Sequence, residues 1–196
     1  MSDDEAADRV HAESRQAWRD WLAAHHESHR SVWLVSWKKH TGRPAVGYDE
    51  AVTEALAFGW VDSKPAKLDD DRTMLYFSRR KRGSAWSRPN KLRVAALERD
   101  GLMAPAGQAC VDAARRDGSW TRLDDVEDLV VPDDLTEAFD RHPGAAEQWA
   151  AFPRSARRGI LEWITQAKRP ETRRKRIEET ASLARRGERA NQWRPR

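Results

Sequence analysis

The 196-residue chain predicts an α+β protein, with a small, mainly antiparallel sheet and packed helices followed by a helical C-terminal region. Three observations carry this expectation. SVWLVSWKK at 31–39 is dominated by aromatic and β-branched residues, which is the signature of a strand. From about residue 88 onward the apolar residues fall at helical spacing, broken by Gly and Pro. Ten Trp residues recur from Trp18 to Trp193 in a chain that is only 39% apolar and 35% charged. Disordered segments are poor in large aromatics, so this composition describes a folded chain with a thick charged surface.

In chain order, Val10, Ser14, Ala17, Trp18, Trp21 and Leu22 predict a helix over roughly 4–25. The strand at 31–39 is apolar on both faces, which places it inside a sheet. HTGRPAVG, residues 40–47, reads as a loop, and YDEAVTEALAFGW as a helix that stops near Gly59. Trp60–Leu68 and Thr73–Phe77 read as two strands joined by the acidic turn LDDDR. NKLRVAALERDG and APAGQACVDAARRDG are helices with Gly stops. An extended stretch containing Trp120 leads to LVVP. Helices over DDLTEAFDR, AAEQWAAF, RSARRGILEWITQAK and ETRRKRIEETASLARRG follow, separated by Pro143, Pro153 and Pro170, and the chain frays from Glu188. The change of texture sets a division into a mixed region, 1–128, and a helical region, 129–196. These regions fit either two bodies or one packed unit.

The net charge of +4 conceals segregation. Residues 1–78 hold fourteen acids against ten bases, and 79–99 eight bases against one acid. Residues 101–152 hold eleven acids against four bases, and 154–196 fourteen bases against five acids. Such blocks pair inside a fold or leave basic surfaces exposed. The modest total disfavours strong non-specific nucleic-acid binding. No stretch of 18 apolar residues exists, so no transmembrane helix is expected. The N-terminus MSDDEAADRV is not a secretory signal, so a cytoplasmic location is expected. Cys110 is the only cysteine, which rules out an internal disulfide and a thiolate metal cage, and it reads as a small buried apolar residue. No cofactor and no metal is expected. Asp69, Asp70 and Asp71 read as a solvated turn, and His25, His26 and His29 as residues near a helix C-terminus.

The densest candidate site is YFSRRKRGSAWSRPNK, residues 76–91, with six basic residues and no acid. Arg79 and Arg80 leave a strand and supply planar forks for phosphate or carboxylate. Ser84, Ser87 and Asn90 add neutral donors, and Lys91 adds a point charge. The chain from Ser84 to Lys91 enters a helix, whose N-terminus favours anions. Pro89 leaves Ser87 or Arg88 as the first non-helical residue. The alternative is a solvated loop whose basic residues pair with LDDDR. Trp86 either stacks on a ring of a ligand or staples the helix start to the sheet. Asp62, with Phe58, Gly59, Trp60 and Val61, forms a second candidate. If buried it needs Arg79, Arg80 or Lys64 as a partner. The basic segment KRPETRRKRIEE reads as a solvated helix face or a surface for nucleic acid or an acidic partner.

AFGWVDSK, FSRRKRGSAWSRPNK, GLMAPAGQACVDAARRDGSW and WITQAKRPETRRKRI, in this order, resemble the YdeI or OmpD-associated family, also described as bacteriocin-protection proteins. The resemblance runs from about Trp33 to Gly187. Departures are Ser63 in place of a Gly, Ser78 where the family often has Pro, and Ala104 where Thr commonly caps a helix. Arg79, Arg80, Ser84, Trp86, Ser87 and Asn90 fall in the most specific block, which strengthens their reading as ligand-binding residues. The leading expectation is a soluble, non-enzymatic accessory protein with an anion-binding site, and the resemblance implies a link to envelope-stress or antimicrobial-peptide tolerance. A small anionic ligand is the expected partner, any protein partner is unidentified, and nucleic acid is the less favoured alternative. The competing expectation is an enzyme acting on a phosphorylated or carboxylated small molecule, with Asp62 as acid or base.

Overall fold

The structure is a computed structural model that describes residues 7–192. The chain divides into two compact units, one ending at Arg122 and the other beginning at Leu123.

The first unit contains β1 (Asp8–His11), α1 (Arg15–His25), β2 (Ser31–Trp37), α2 (Tyr48–Ala57), β3 (Trp60–Lys67), β4 (Arg72–Arg79), α3 (Arg88–Arg99) and α4 (Pro105–Asp117). The four strands form one sheet in the order β1-β2-β4-β3. β1 runs parallel to β2, and the other two pairs are antiparallel. β2 is therefore interior, as its two apolar faces require. β3 lies at an edge, which is where Pro65 and the register shift between Asp62 and Pro65 are tolerated.

The helix expected over 4–25 is shorter than the periodicity implied. Residues 8–11 pair as a strand with Val32–Val35, and the helix begins only at Arg15. Ser14 sets that start, because its hydroxyl accepts the Ala17 N–H at 3.1 Å and satisfies one of the unpaired donors of the first turn. Residues 1–6 lie outside the described part of the chain.

Val32, Leu34, Phe77 and Trp60 meet Trp18, Leu22, Val52 and Leu56 in one buried cluster. Trp18 stacks on Trp21 at 5.4 Å and tilts against Phe77 at 5.2 Å, which seats α1 on the sheet. Its indole N–H is satisfied by the Ala51 carbonyl at 3.0 Å. Glu54, buried on α2, is held by Arg15 and Arg19, each at 2.5 Å.

Two glycines bring α4 close to the α2–β3 connection. A Cβ on Gly107 would lie 2.1 Å from the Ala57 carbonyl oxygen, a separation no side chain permits. Gly59 has φ +75°, and a Cβ there would lie 3.2 Å from the Ala106 oxygen. The Ala104 N–H completes the junction with a 3.0 Å bond to Ala57.

The second unit contains α5 (Asp124–Glu127), α6 (Asp133–Arg141), α7 (Ala145–Ala151), α8 (Arg154–Thr165) and α9 (Pro170–Ala184). The stretch expected to be extended after Trp120 instead makes turns and the short α5. Leu135, Phe139, Trp149, Ile160, Ile164 and Ile177 are buried, as helical spacing requires. For residues 188–192 the expected fraying is corrected, because Ala190 is buried; residues 193–196, Trp193 among them, lie outside the described residues. Among the described residues no helix is long and apolar enough to cross a membrane.

Candidate functional site

The strand β4 separates the two charged segments that sequence reasoning could pair. Asp69–Asp71 precede its start at Arg72, and Arg79 ends it, seven residues on. At about 3.3 Å per residue this is more than 20 Å, far beyond an ion pair. Asp69 instead accepts from Arg72 and Asp70 pairs with Lys67 at 2.6 Å, while Lys38 donates to the carbonyls of Asp69 and Asp70. The basic residues at the other end are left to their own surroundings.

Those surroundings are a cavity of about 420 Å³ in the first unit, within the range of small-molecule sites. One wall is the start of β3 (Gly59, Trp60) with the end of β4 and the following loop (Arg79–Ser84, Trp86). The opposite wall is α4, which presents Ala106, Ala109, Cys110, Ala113 and Asp117 at successive turns, continuing to Ser119. His26 and Glu27, just beyond α1, complete the rim. The apolar alanine wall is thus set against a strongly cationic one.

Arg79 is anchored. Its Nε donates to the His29 carbonyl at 2.7 Å and an Nη to the Glu27 carbonyl. It satisfies the carbonyls left open after α1, which is a structural task. Arg80 differs. Its guanidinium lies over the Trp86 ring, 3.7 Å from the centroid, and donates to the Ala85 carbonyl. Its Nε is buried with no hydrogen-bond partner, and no described carboxylate lies within 4 Å. Burial lowers its pKa to about 10, against the pull of Asp62 among others, so it remains a cation at neutral pH. Trp86 is itself 1% exposed and packs on Trp120 at 5.0 Å. It is therefore both a core residue and the platform for a buried cation.

Ser119 is fully buried and lines the cavity. Its N–H donates to Asp117 Oδ1 at 3.0 Å, and its hydroxyl, which makes no hydrogen bond of normal geometry, still lies close enough to that carboxylate to help hold its pKa low. Cys110 is half-buried, more open than the small buried apolar residue expected: it packs against the core cluster and also lines the cavity. Burial raises its thiol pKa, and Arg80 draws it part of the way back.

Of the residues singled out in the sequence, the cavity gathers Arg79, Arg80, Ser84 and Trp86, together with Phe58, Gly59 and Trp60 of the second candidate. Asp62, Ser87, Asn90 and Lys91 are not in its lining. Asp62 accepts a 2.9 Å hydrogen bond from Tyr48. Neither Arg79 nor Arg80 forms an ion pair with it, because the two arginines are turned to carbonyls and to Trp86. Ser87 is the residue before α3, and its carbonyl accepts the Lys91 N–H at 3.0 Å. Asn90 accepts from Arg93, and Lys91 lies 5.5 Å from the Trp120 ring. The flank of α4, not the N-terminus of α3, forms the far wall. The contributions of Ser119, Asp117 and the alanines of α4 escaped sequence reasoning. The available signal was the recurrence of small residues at 106, 109/110 and 113 in an otherwise charged helix.

In the second unit the basic segment is partly occupied. Arg173 makes a two-pronged bond to Asp134 at 2.7 and 2.9 Å, and Arg176 donates to the Trp163 carbonyl while covering its ring. His25 stacks on Trp21, and His29 meets the same ring edge-on.

The fold and site define a two-unit α+β protein with a cationic, alanine-walled cavity in its first unit. Over residues 10–110, just over half its length, the chain belongs to the family described as Domain of unknown function (DUF8412). Residues 128–187 match the family described as Bacteriocin-protection, YdeI or OmpD-Associated. That match contains the WITQAKRPETRRKRI block, whereas AFGWVDSK and FSRRKRGSAWSRPNK lie under the first. No curated protein and no solved structure matches the chain.

Proposed function

We infer that the first unit binds a small organic anion in the cavity beside Arg80, and that the protein is a non-enzymatic accessory protein. The observation that carries this reading is the guanidinium of Arg80, fixed on Trp86 without a carboxylate partner at the wall of a ligand-sized cavity. A buried cation without a counter-ion is costly, and a ligand carboxylate or phosphate supplies the missing charge and acceptor. Ser119 offers a second buried group, and the alanines of α4 accommodate an apolar body. Asp62 lies outside the lining, so no acid–base role is assigned to it.

The similarity of residues 128–187 to bacteriocin-protection proteins supports a role in antimicrobial-peptide or envelope-stress tolerance; a cytoplasmic site for that role is part of the proposal. The test is a titration of intrinsic Trp fluorescence with aliphatic and aromatic carboxylates, nucleotides, sugar phosphates and a short duplex at two salt concentrations. A saturable change with one organic anion, lost in Arg80→Met and Trp86→Phe, is expected. A response to the duplex alone, disappearing at high salt, would instead mark a nucleic-acid surface.

A further inference from the structure

The strand end at Arg79 also borders a second hollow, of about 490 Å³, whose wall has a different chemistry. Arg30, Ser31, Tyr76, Ser78 and Lys81 line it, together with Arg79 and Arg80 from the shared strand end, and no carboxylate is among them. The register explains the grouping. Ser31 and Ser78 are directly opposed across β2 and β4, so their side chains share one face, and Tyr76 is two residues back on that face. Tyr76 is nearly buried, its ring held against Trp33 at 5.0 Å. The hydroxyls of Ser31, Tyr76 and Ser78 make no hydrogen bond among the described residues, and neither Arg30 nor Lys81 has an ion-pair partner there.

Three hydroxyls, a guanidinium fork and an ammonium group offer more donors than one carboxylate can accept. A phosphate group has the oxygens and the charge to satisfy them together. We propose that this hollow is a binding site for a phosphate group, free or carried by a small molecule. It is distinct from the cavity beside Trp86, whose alanine wall suits an apolar body and which shares with it Arg79, Arg80 and Lys81 but not Arg30, Ser31, Tyr76 or Ser78.

The test uses the full chain and calorimetric titration with inorganic phosphate, glycerol phosphate and acetate at constant ionic strength. Saturable binding of a phosphate but not of acetate is expected. Arg30→Ala, which touches an exposed residue, weakens it about tenfold, the equivalent of one charge-assisted hydrogen bond. Ser78→Ala and Lys81→Ala weaken it in the same direction, and Ala109→Leu, which fills the cavity from α4 and lies outside the hollow's lining, leaves it unchanged. Preference for glycerol phosphate over inorganic phosphate identifies a carried phosphate, and the reverse a free one. The proposal is overturned if no phosphate binds saturably, if acetate binds equally well, or if Ala109→Leu abolishes binding while Arg30→Ala does not. That last result would move the phosphate into the cavity. Loss of organic-anion binding with phosphate binding retained would sink the cavity reading alone.

Discussion

Arg80 is the residue on which the geometry of the first unit turns. Its charge is held in a half-buried position by the Trp86 face, a contact worth about 0.5–2 kcal/mol, and by one carbonyl. Burial acts against it, which is why its pKa falls to about 10. The sign follows directly. At neutral pH the side chain is charged in both folded and unfolded chains, so the folded state carries the desolvation cost. That cost is relieved only as pH rises through about 10 toward the ordinary arginine value. Arg80→Met keeps an apolar stem against Trp86 and removes the buried charge. Urea unfolding at pH 7 is expected to show the variant at least as stable as the parent, with the difference shrinking above pH 10. Organic-anion binding is lost in the same variant. A marked loss of stability at pH 7 would show that the cation is a structural element, not one reserved for a ligand.

At the scale of elements, the cavity exists because α4 approaches the α2–β3 connection at two glycines. Gly107→Ala forces a methyl group into the Ala57 carbonyl, which is backbone and cannot turn aside. A destabilisation of at least about 2 kcal/mol is expected in denaturant unfolding, as for other overpacked contacts. Weaker anion binding should accompany it even where the variant stays folded, because the wall carrying Ala106, Cys110 and Ser119 is displaced.

The same junction shows what was legible in the sequence. β2, α2 and the β3–β4 pair carry strong local patterns and stand where those patterns put them. β1 does not, because DRVH has one apolar residue and becomes a strand only through pairing with Val32–Val35. The basic loop was legible as a site, but its opposing wall was not. α4 is distant in sequence, and its alanines acquire meaning only when Gly107 lets them face Trp60 and Arg80. The N-terminus of α3, which local reasoning favoured, is outside the lining because the chain between Ser84 and Arg88 passes Trp86 into the core first.

For the molecule as a whole, charge segregation resolves within the second unit. Residues 123–152 hold nine acids and one base, and 154–196 hold fourteen bases and five acids, so the unit is nearly neutral. Two of its ion pairs join the acidic block to the basic one, Asp134 with Arg173 and Glu127 with Arg158, while Glu178 with Arg141 and His142 joins them in the opposite sense. Glu127 is buried, and its carbonyl also takes Arg154 at 2.5 Å. With its own buried Leu135, Phe139, Trp149, Ile160 and Ile164, this part has what a folding unit needs. Residues 123–196 produced alone are therefore expected to give a helical circular-dichroism spectrum and a cooperative thermal transition. A peptide covering 170–187 should be largely unfolded, since a helix of that length is marginal without packing. Raising salt from about 0.05 to 0.5 M should lower the midpoint of the isolated unit, because the opposed blocks are then screened. Asp134→Asn should lower it at low salt and lose most of its effect at high salt. A gradual melt in the isolated unit would mean that its helices depend on the rest of the chain. A cooperative melt insensitive to salt would mean that the apolar core alone sets its stability and that the charged blocks chiefly choose which helices meet.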